Sequence, residues 1–125
     1  MKRLAAAGSI ALLFALAALS CAGKDPIVGT WGGKSVFGED LVLTFSKDGK
    51  ITVTFPKGGT VNPGKYWLDR TTTPIGFDYE LEGRGRIKTI LEFVDSDTLA
   101  FEEVGSSSDP RPTGFGRHRL EFKRR

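Results

Sequence analysis

The chain has 125 residues, with 18 Lys and Arg against 15 Asp and Glu, one Cys and one His. A lone Cys excludes an internal disulfide, and one His without a second Cys excludes a His/Cys zinc site or a CxxC redox centre. The formal charge is +3, and setting aside Lys2 and Arg3 leaves 16 basic against 15 acidic residues, so charge gives no reason to expect a nucleic-acid partner.

The first element in chain order is a leader. Lys2 and Arg3 form a positive head, and the run from Leu4 to Leu19 is uncharged and rich in Ala and Leu. This run is shorter than the ~20 apolar residues that span a bilayer, and it fits the anatomy of a secretory signal. Ala17, Ala18, Leu19, Ser20 and Cys21 then resemble the relaxed form of the bacterial lipobox. The resemblance implies a signal peptide over residues 1–20, lipidation at Cys21 and a tether over residues 21–26. It also implies a diacylglyceryl group plus an amide-linked acyl chain of the palmitate kind on Cys21. Two or more chains, at about 0.8 kcal/mol per buried CH₂, hold firmly to a membrane where one does not. Ala22 after the Cys, by the same resemblance, points to the outer membrane. The expectation is therefore a lipid-anchored protein of the bacterial cell envelope, with its domain at residues 27–125.

Beyond the tether the apolar residues alternate with polar ones, the pattern of half-buried strands, and no segment has helical period. A first strand is expected from Val28 to about Phe37. Leu41, Leu43 and Phe45 face one way, as do Ile51, Val53 and Phe55, and the intervening Ser46–Lys50 reads as a three-residue hairpin loop closed by a left-handed Gly49. That loop sets Phe45 opposite Ile51 and Leu43 opposite Val53, so turn chemistry and pattern agree on one register. A long connection is expected over Pro56–Gly64, then a strand through Lys65 to Asp69. Phe77, Tyr79 and Leu81 alternate with Asp78, Glu80 and Glu82. A Gly83–Arg84–Gly85 turn would place Leu81 against Ile87, Glu80 against Lys88 and Glu82 against Arg86, with Gly85 at positive φ. A third hairpin at Asp95–Ser96–Asp97 sets Phe93 opposite Leu99 and Leu91 opposite Phe101, with Asp in the left-handed position. A long Ser-, Pro- and Gly-rich connection runs from Gly105 to Gly116, and a last strand from Arg117 to Arg124.

About eight antiparallel strands joined mostly by short loops, without a covering helix, predict an all-β, up-and-down barrel, with a two-sheet sandwich as the alternative. Gly29, Thr30 and Trp31 resemble the Gly-x-Trp opening of lipocalin-like barrels. The chain is also similar to a small domain of planctomycete secreted proteins. The likeness rests on Gly29–Trp31, on Thr71–Pro74 followed by Asp78, and on Arg111, Pro112, Thr113, Gly114 and Phe115, with Ile75 where that domain has Lys. Both resemblances imply a lipocalin-like barrel, and neither implies an activity. In such barrels a basic residue covers the Trp. Counting along the last strand, His118, Leu120, Phe122 and Arg124 share the inward face, which places Arg124 within about 6 Å of the Trp31 ring, with Arg119 as the alternative.

Catalytic chemistry finds no support in the sequence. His118 lies near Ser106–Ser108 and Asp109, but no strand-turn-helix elbow holds a nucleophile, and His118 reads as an inward residue at a barrel end. The carboxylates read as solvated surface, and Asp95/Asp97 lack the spacing of a calcium loop. The run of Arg117, Arg119, Lys123, Arg124 and Arg125 reads as an alternating last strand whose outward charges guard against aggregation, rather than as a lipid-binding patch. Phe45, Phe55, Tyr66, Tyr79, Phe93, Phe101 and Phe122 are expected to line the interior. The first functional expectation is a non-enzymatic module for a small apolar ligand, using Tyr66, Tyr79, Phe93, Phe101 and His118 at a mouth rimmed by the two long loops. The second is a filled barrel that meets an envelope protein through its loops. A cavity of roughly 300 Å³ or more favours the first, and a packed interior the second.

Overall fold

A computed structural model describes residues 25–125; the leader and Cys21 lie outside the described residues. The chain forms eight strands: β1 (Gly29–Lys34), β2 (Asp40–Phe45), β3 (Lys50–Phe55), β4 (Thr60–Asp69), β5 (Ile75–Leu81), β6 (Ile87–Asp95), β7 (Thr98–Glu102) and β8 (Arg119–Arg124). Each pairs antiparallel with its sequence neighbour, and β1 pairs with β8, so the sheet closes into an up-and-down barrel. The closing register sets Trp31 opposite Arg124 and Gly33 opposite Phe122. Gly33 is required there, because a Cβ would lie 2.7 Å from the Phe122 ring and 2.6 Å from the Glu121 carbonyl oxygen.

Apolar side chains fill the inside, with Trp31, Phe45, Phe77, Leu91, Leu99 and Phe122 essentially inaccessible to water. Phe77 stands at the centre of this set, its ring centroid 6.0 Å from Phe45 and 5.6 Å from Phe101. Charged residues such as Lys65, Glu80, Lys88, Glu121 and Lys123 occupy outward positions. This alternation is the reverse of that in a membrane-spanning barrel, whose outer face is apolar.

The β2–β3 hairpin has the expected register, Phe45 opposite Ile51 and Leu43 opposite Val53, with Gly49 at φ 85°. Phe93 opposite Leu99 and Leu91 opposite Phe101 also hold between β6 and β7. The turn between them is different, however. Asp95 pairs with Thr98 after a register irregularity, Asp97 N–H donates to Asp95 Oδ1 at 2.9 Å, and no non-glycine residue among those described has positive φ. A carboxylate accepting from the backbone two residues on builds the turn without a left-handed residue.

The β5–β6 register is displaced from the expected one by two residues: Tyr79, not Leu81, faces Ile87, and Asp78, not Glu80, faces Lys88. Leu81 and Glu82 are held by β4 instead, through the Gly64–Leu81 pair and a 2.9 Å bond from Glu82 N–H to the Pro63 carbonyl. The left-handed glycine of this turn is Gly83, at φ 78°, and Gly85 is not left-handed. Gly85 is constrained by crowding instead, since a Cβ would come within 2.6 Å of Ser107.

Three boundaries also differ. β1 ends at Lys34, and Ser35–Glu39 forms a hairpin loop closed by Ser35 N–H to Glu39 carbonyl at 2.8 Å. The connection after β3 is only the turn over residues 56–59, so Pro63 lies within β4. There β4 passes the end of β5: Pro63 faces Thr52 of β3, and on the other side only its carbonyl is used, by Glu82, a position that tolerates a residue lacking N–H. β8 begins at Arg119, which leaves His118 in the preceding turn.

The segment from Glu103 to His118 straps the outside of β5, β6 and β7. Arg111 Nη1 lies 2.7 Å from Asp78 Oδ1 and donates to the Thr89 carbonyl at 2.7 Å. Gly116 N–H donates to Glu102 Oε1 at 2.9 Å, and Arg119 stacks over the Phe115 ring at 4.7 Å. Under this strap even outward residues are buried, so all five residues of β7 are. Thr72, Asp78, Arg111 and Phe115, noted first as marks of resemblance, therefore have structural work: Thr72 Oγ1 donates to the Pro74 carbonyl, and Asp78 ties down the strap.

Candidate functional site: an apolar cavity at one barrel mouth

The strands bring the β2–β3, β4–β5 and β6–β7 turns to one end, with the chain near Asp25 and Arg125. The β1–β2, β3–β4 and β5–β6 turns and the start of the strap gather at the other. The first end is sealed. Ile27 is fully buried beside Trp31, whose Nε1 donates to the Ile27 carbonyl at 2.9 Å. The Arg124 guanidinium lies 4.2 Å from the Trp31 ring centroid and bonds the carbonyls of Pro26, Val28 and Ser96. The Arg124-over-Trp31 expectation is met, and Arg119 is occupied elsewhere, by Glu92 and Glu121.

The second end is open. A cavity of about 160 Å³ lies inside it, walled by Leu41, Leu43, Ile51, Val53, Phe55 and Leu120, with Phe77 and Phe101 as its floor. Ser35, Asn62, Arg84 and Glu103 stand at its edge, with the Tyr79 phenol among them. Burial first, and the Glu103 charge second, push the Tyr79 hydroxyl up to about 12, so it remains a neutral donor at physiological pH. Among the described residues this hydroxyl makes no hydrogen bond, and neither Arg84 nor Glu103 belongs to an ion pair.

The five expected ligand residues are divided by this geometry. Tyr79 and Phe101 line the cavity. Tyr66 packs edge-on against Phe45 and donates to the Ser46 carbonyl at 2.8 Å, near the sealed end. Phe93 lies 6.5 Å from Trp31, also at the sealed end. His118 is exposed and not inward, since β8 starts one residue later; its carbonyl accepts from Glu103 N–H, and it borders an open groove with Val36, Phe37 and Arg117. Of the expected rim, residues 56–59 are a tight turn and most of the strap lies on the outer wall, leaving Ser35, Arg84 and Glu103 as the working edge. The sequence places Arg84 in a turn and leaves Glu103 among the solvated carboxylates; only barrel closure brings both to one mouth. The C-terminal cations are dispersed: Lys123 donates to Thr98 Oγ1 at 2.8 Å and Arg125 lies over Gly32.

The cavity is about half the 300 Å³ that separates the two functional expectations, and the rest of the interior is packed. It compares instead with the ~150 Å³ apolar cavity that accepts benzene in an engineered lysozyme. Among the described residues no cluster of three His, Cys, Asp or Glu side chains offers a metal site. Comparison with family models, with curated proteins and with solved structures finds no match to this chain.

Proposed function

We propose that this chain is a non-enzymatic, lipid-anchored envelope protein whose barrel takes up one small apolar group, a single ring or a short branched chain, at its open mouth. The observation that carries the reading is the apolar cavity of about 160 Å³, open at the end opposite Asp25. The apolar part fits one ring or its equivalent, and beyond Tyr79, Arg84 and Glu103 the site widens into a more polar recess beside Ser106 and Ser107. The leader and Cys21 support the anchored part of the reading. Four residue steps separate Cys21 from Asp25, at most about 14 Å of extended chain, which would hold the sealed end near the lipid and turn the mouth away from it. Outer-membrane placement rests on Ala22 and the lipobox resemblance.

Saturation-transfer NMR with benzyl alcohol, on the full chain in lipid nanodiscs, tests the cavity. Saturable transfer above empty nanodiscs, abolished by Val53→Phe, is the expected result. Transfer no greater than in empty nanodiscs would replace this reading with the filled-barrel one. That second reading is favoured by Phe37, 87% exposed at the tip of the β1–β2 turn beside half-exposed Val36, an apolar point suited to a protein partner. Detergent-phase partitioning tests the anchor separately: Cys21→Ser should move the protein to the aqueous phase, and retention in detergent would refute lipidation.

A further inference from the structure

The edge of the mouth carries two opposite charges that do not neutralise each other. Arg84 stands on the β5–β6 turn and Glu103 at the start of the strap, and both belong to the cavity wall. Both act electrostatically on the Tyr79 phenol, which lines the same cavity, Glu103 raising and Arg84 lowering its tendency to hold a proton. Neither enters an ion pair with any described residue, although Arg86, Arg111 and Arg119 nearby each find a carboxylate. Below them the wall is apolar and closed by Phe77 and Phe101.

A ligand that satisfies this site has an apolar group of about one ring and, one or two bonds away, both a negative and a positive group. Resting on the binding reading above, we infer that the mouth is a site for a free apolar α-amino acid. Its side chain enters the cavity, its carboxylate meets Arg84 and the Tyr79 hydroxyl, and its ammonium meets Glu103. A carboxylate alone would face Glu103 unshielded, and an ammonium alone would face Arg84, so each single charge gains from one partner and loses to the other. The zwitterion gains from both. A peptide terminus carries only one of the two charges next to its side chain and is disfavoured for the same reason.

Calorimetry on the full chain in nanodiscs, with four probes sharing one ring, tests this. L-phenylalanine should bind about three- to fivefold tighter than either phenylalaninamide or N-acetylphenylalanine, the gain expected of one partly exposed charge pair. Benzyl alcohol should bind no tighter than these two. Arg84→Gln should reduce phenylalanine to the affinity of phenylalaninamide, and Glu103→Gln should reduce it to that of N-acetylphenylalanine. Equal affinity for all four probes would overturn the inference while leaving the apolar site intact. Tighter binding of one singly charged probe than of phenylalanine would overturn it in favour of a peptide terminus. Binding of none would overturn both this inference and the reading beneath it.

Discussion

The two ends of the barrel are built from the same strands and finished differently. At the sealed end the two ends of the domain meet on one indole: Ile27, just before β1, and Arg124, at the end of β8, both pack on Trp31. At the mouth the longest connection in the described chain, residues 103–118, is available as a plug, yet it lies along the outer wall. Asp78 explains why. Its carboxylate, mostly buried on the outer face, is held by Arg86 at 3.0 Å and Arg111 at 2.7 Å, and Arg111 is the middle of the strap. Removing a charge from water is favourable only when partners surround it, so Asp78 and Arg111 fix the strap outside and leave the cavity uncovered. Loop length alone therefore does not decide which end of a barrel is open; the partner of one buried carboxylate does.

The contrast breaks most readily at Trp31. Trp31→Ala should cost about 3–5 kcal/mol in urea denaturation, as large-to-small changes of buried aromatics do. A loss below about 1 kcal/mol would show that the indole is not the seal. Over-filling should separate the ends next. Leu99→Phe, in the packed half, should destabilise by about 1–3 kcal/mol, whereas Val53→Ile, facing the cavity, should be neutral or stabilise by up to about 1 kcal/mol. Equal losses at the two sites would mean that the mouth is as tightly packed as the seal. Arg124→Met keeps much of the apolar stem and removes the cation, and should cost about 1–2 kcal/mol through the lost indole and carbonyl contacts. The same change at Arg84 should leave the midpoint unmoved.

The smallest effect is one of pH. Tyr79 is raised from its ordinary value near 10 to about 12 in the folded chain, so the folded state holds its proton where the unfolded state has released it. Its contribution to stability is complete below pH 10 and is lost as pH rises towards 12. Absorbance at 295 nm should show a tyrosine titrating near pH 12 that is missing from Tyr79→Phe. A titration complete by pH 10.5 would place the phenol in open water.

Much of the sealed end was legible in the sequence, because the evidence for it is redundant. Alternation, the Ser46–Lys50 turn and the spacing of Leu120, Phe122 and Arg124 each fix the same faces, and barrel closure then brings Arg124 to Trp31. The mouth was less legible for an identifiable reason. A two-residue displacement of β5 on β6 keeps every side chain on its face, so alternation cannot detect it, and the Gly83/Gly85 pair offers two plausible turns. What decides is contact from outside the hairpin: Gly64 lets β4 approach so closely that a Cβ would lie 2.3 Å from the Glu80 carbonyl oxygen, holding that end of β5 against β4. The strap was illegible in the same way, since its Ser-, Pro- and Gly-rich composition describes a loop without saying which wall it covers. Alternation puts Phe77 on one face with Tyr79 and Leu81 but does not mark it as the centre of the core, a fact that depends on three-dimensional neighbours alone.

The closure of β1 on β8 has one more consequence. Every strand pairs with its sequence neighbours around a ring, and Arg124 bonds Pro26 and Val28 while Arg125 N–H bonds the Thr30 carbonyl. The beginning and end of the domain thus meet on one side of the ring, and the order of strands around it has no inherent starting point. A circular permutant that joins Arg125 to Asp25 through a short linker and opens the chain at Gly58–Gly59 should keep all eight pairings. Its new termini would emerge beside the mouth, so that a reporter fused there would sit next to the cavity.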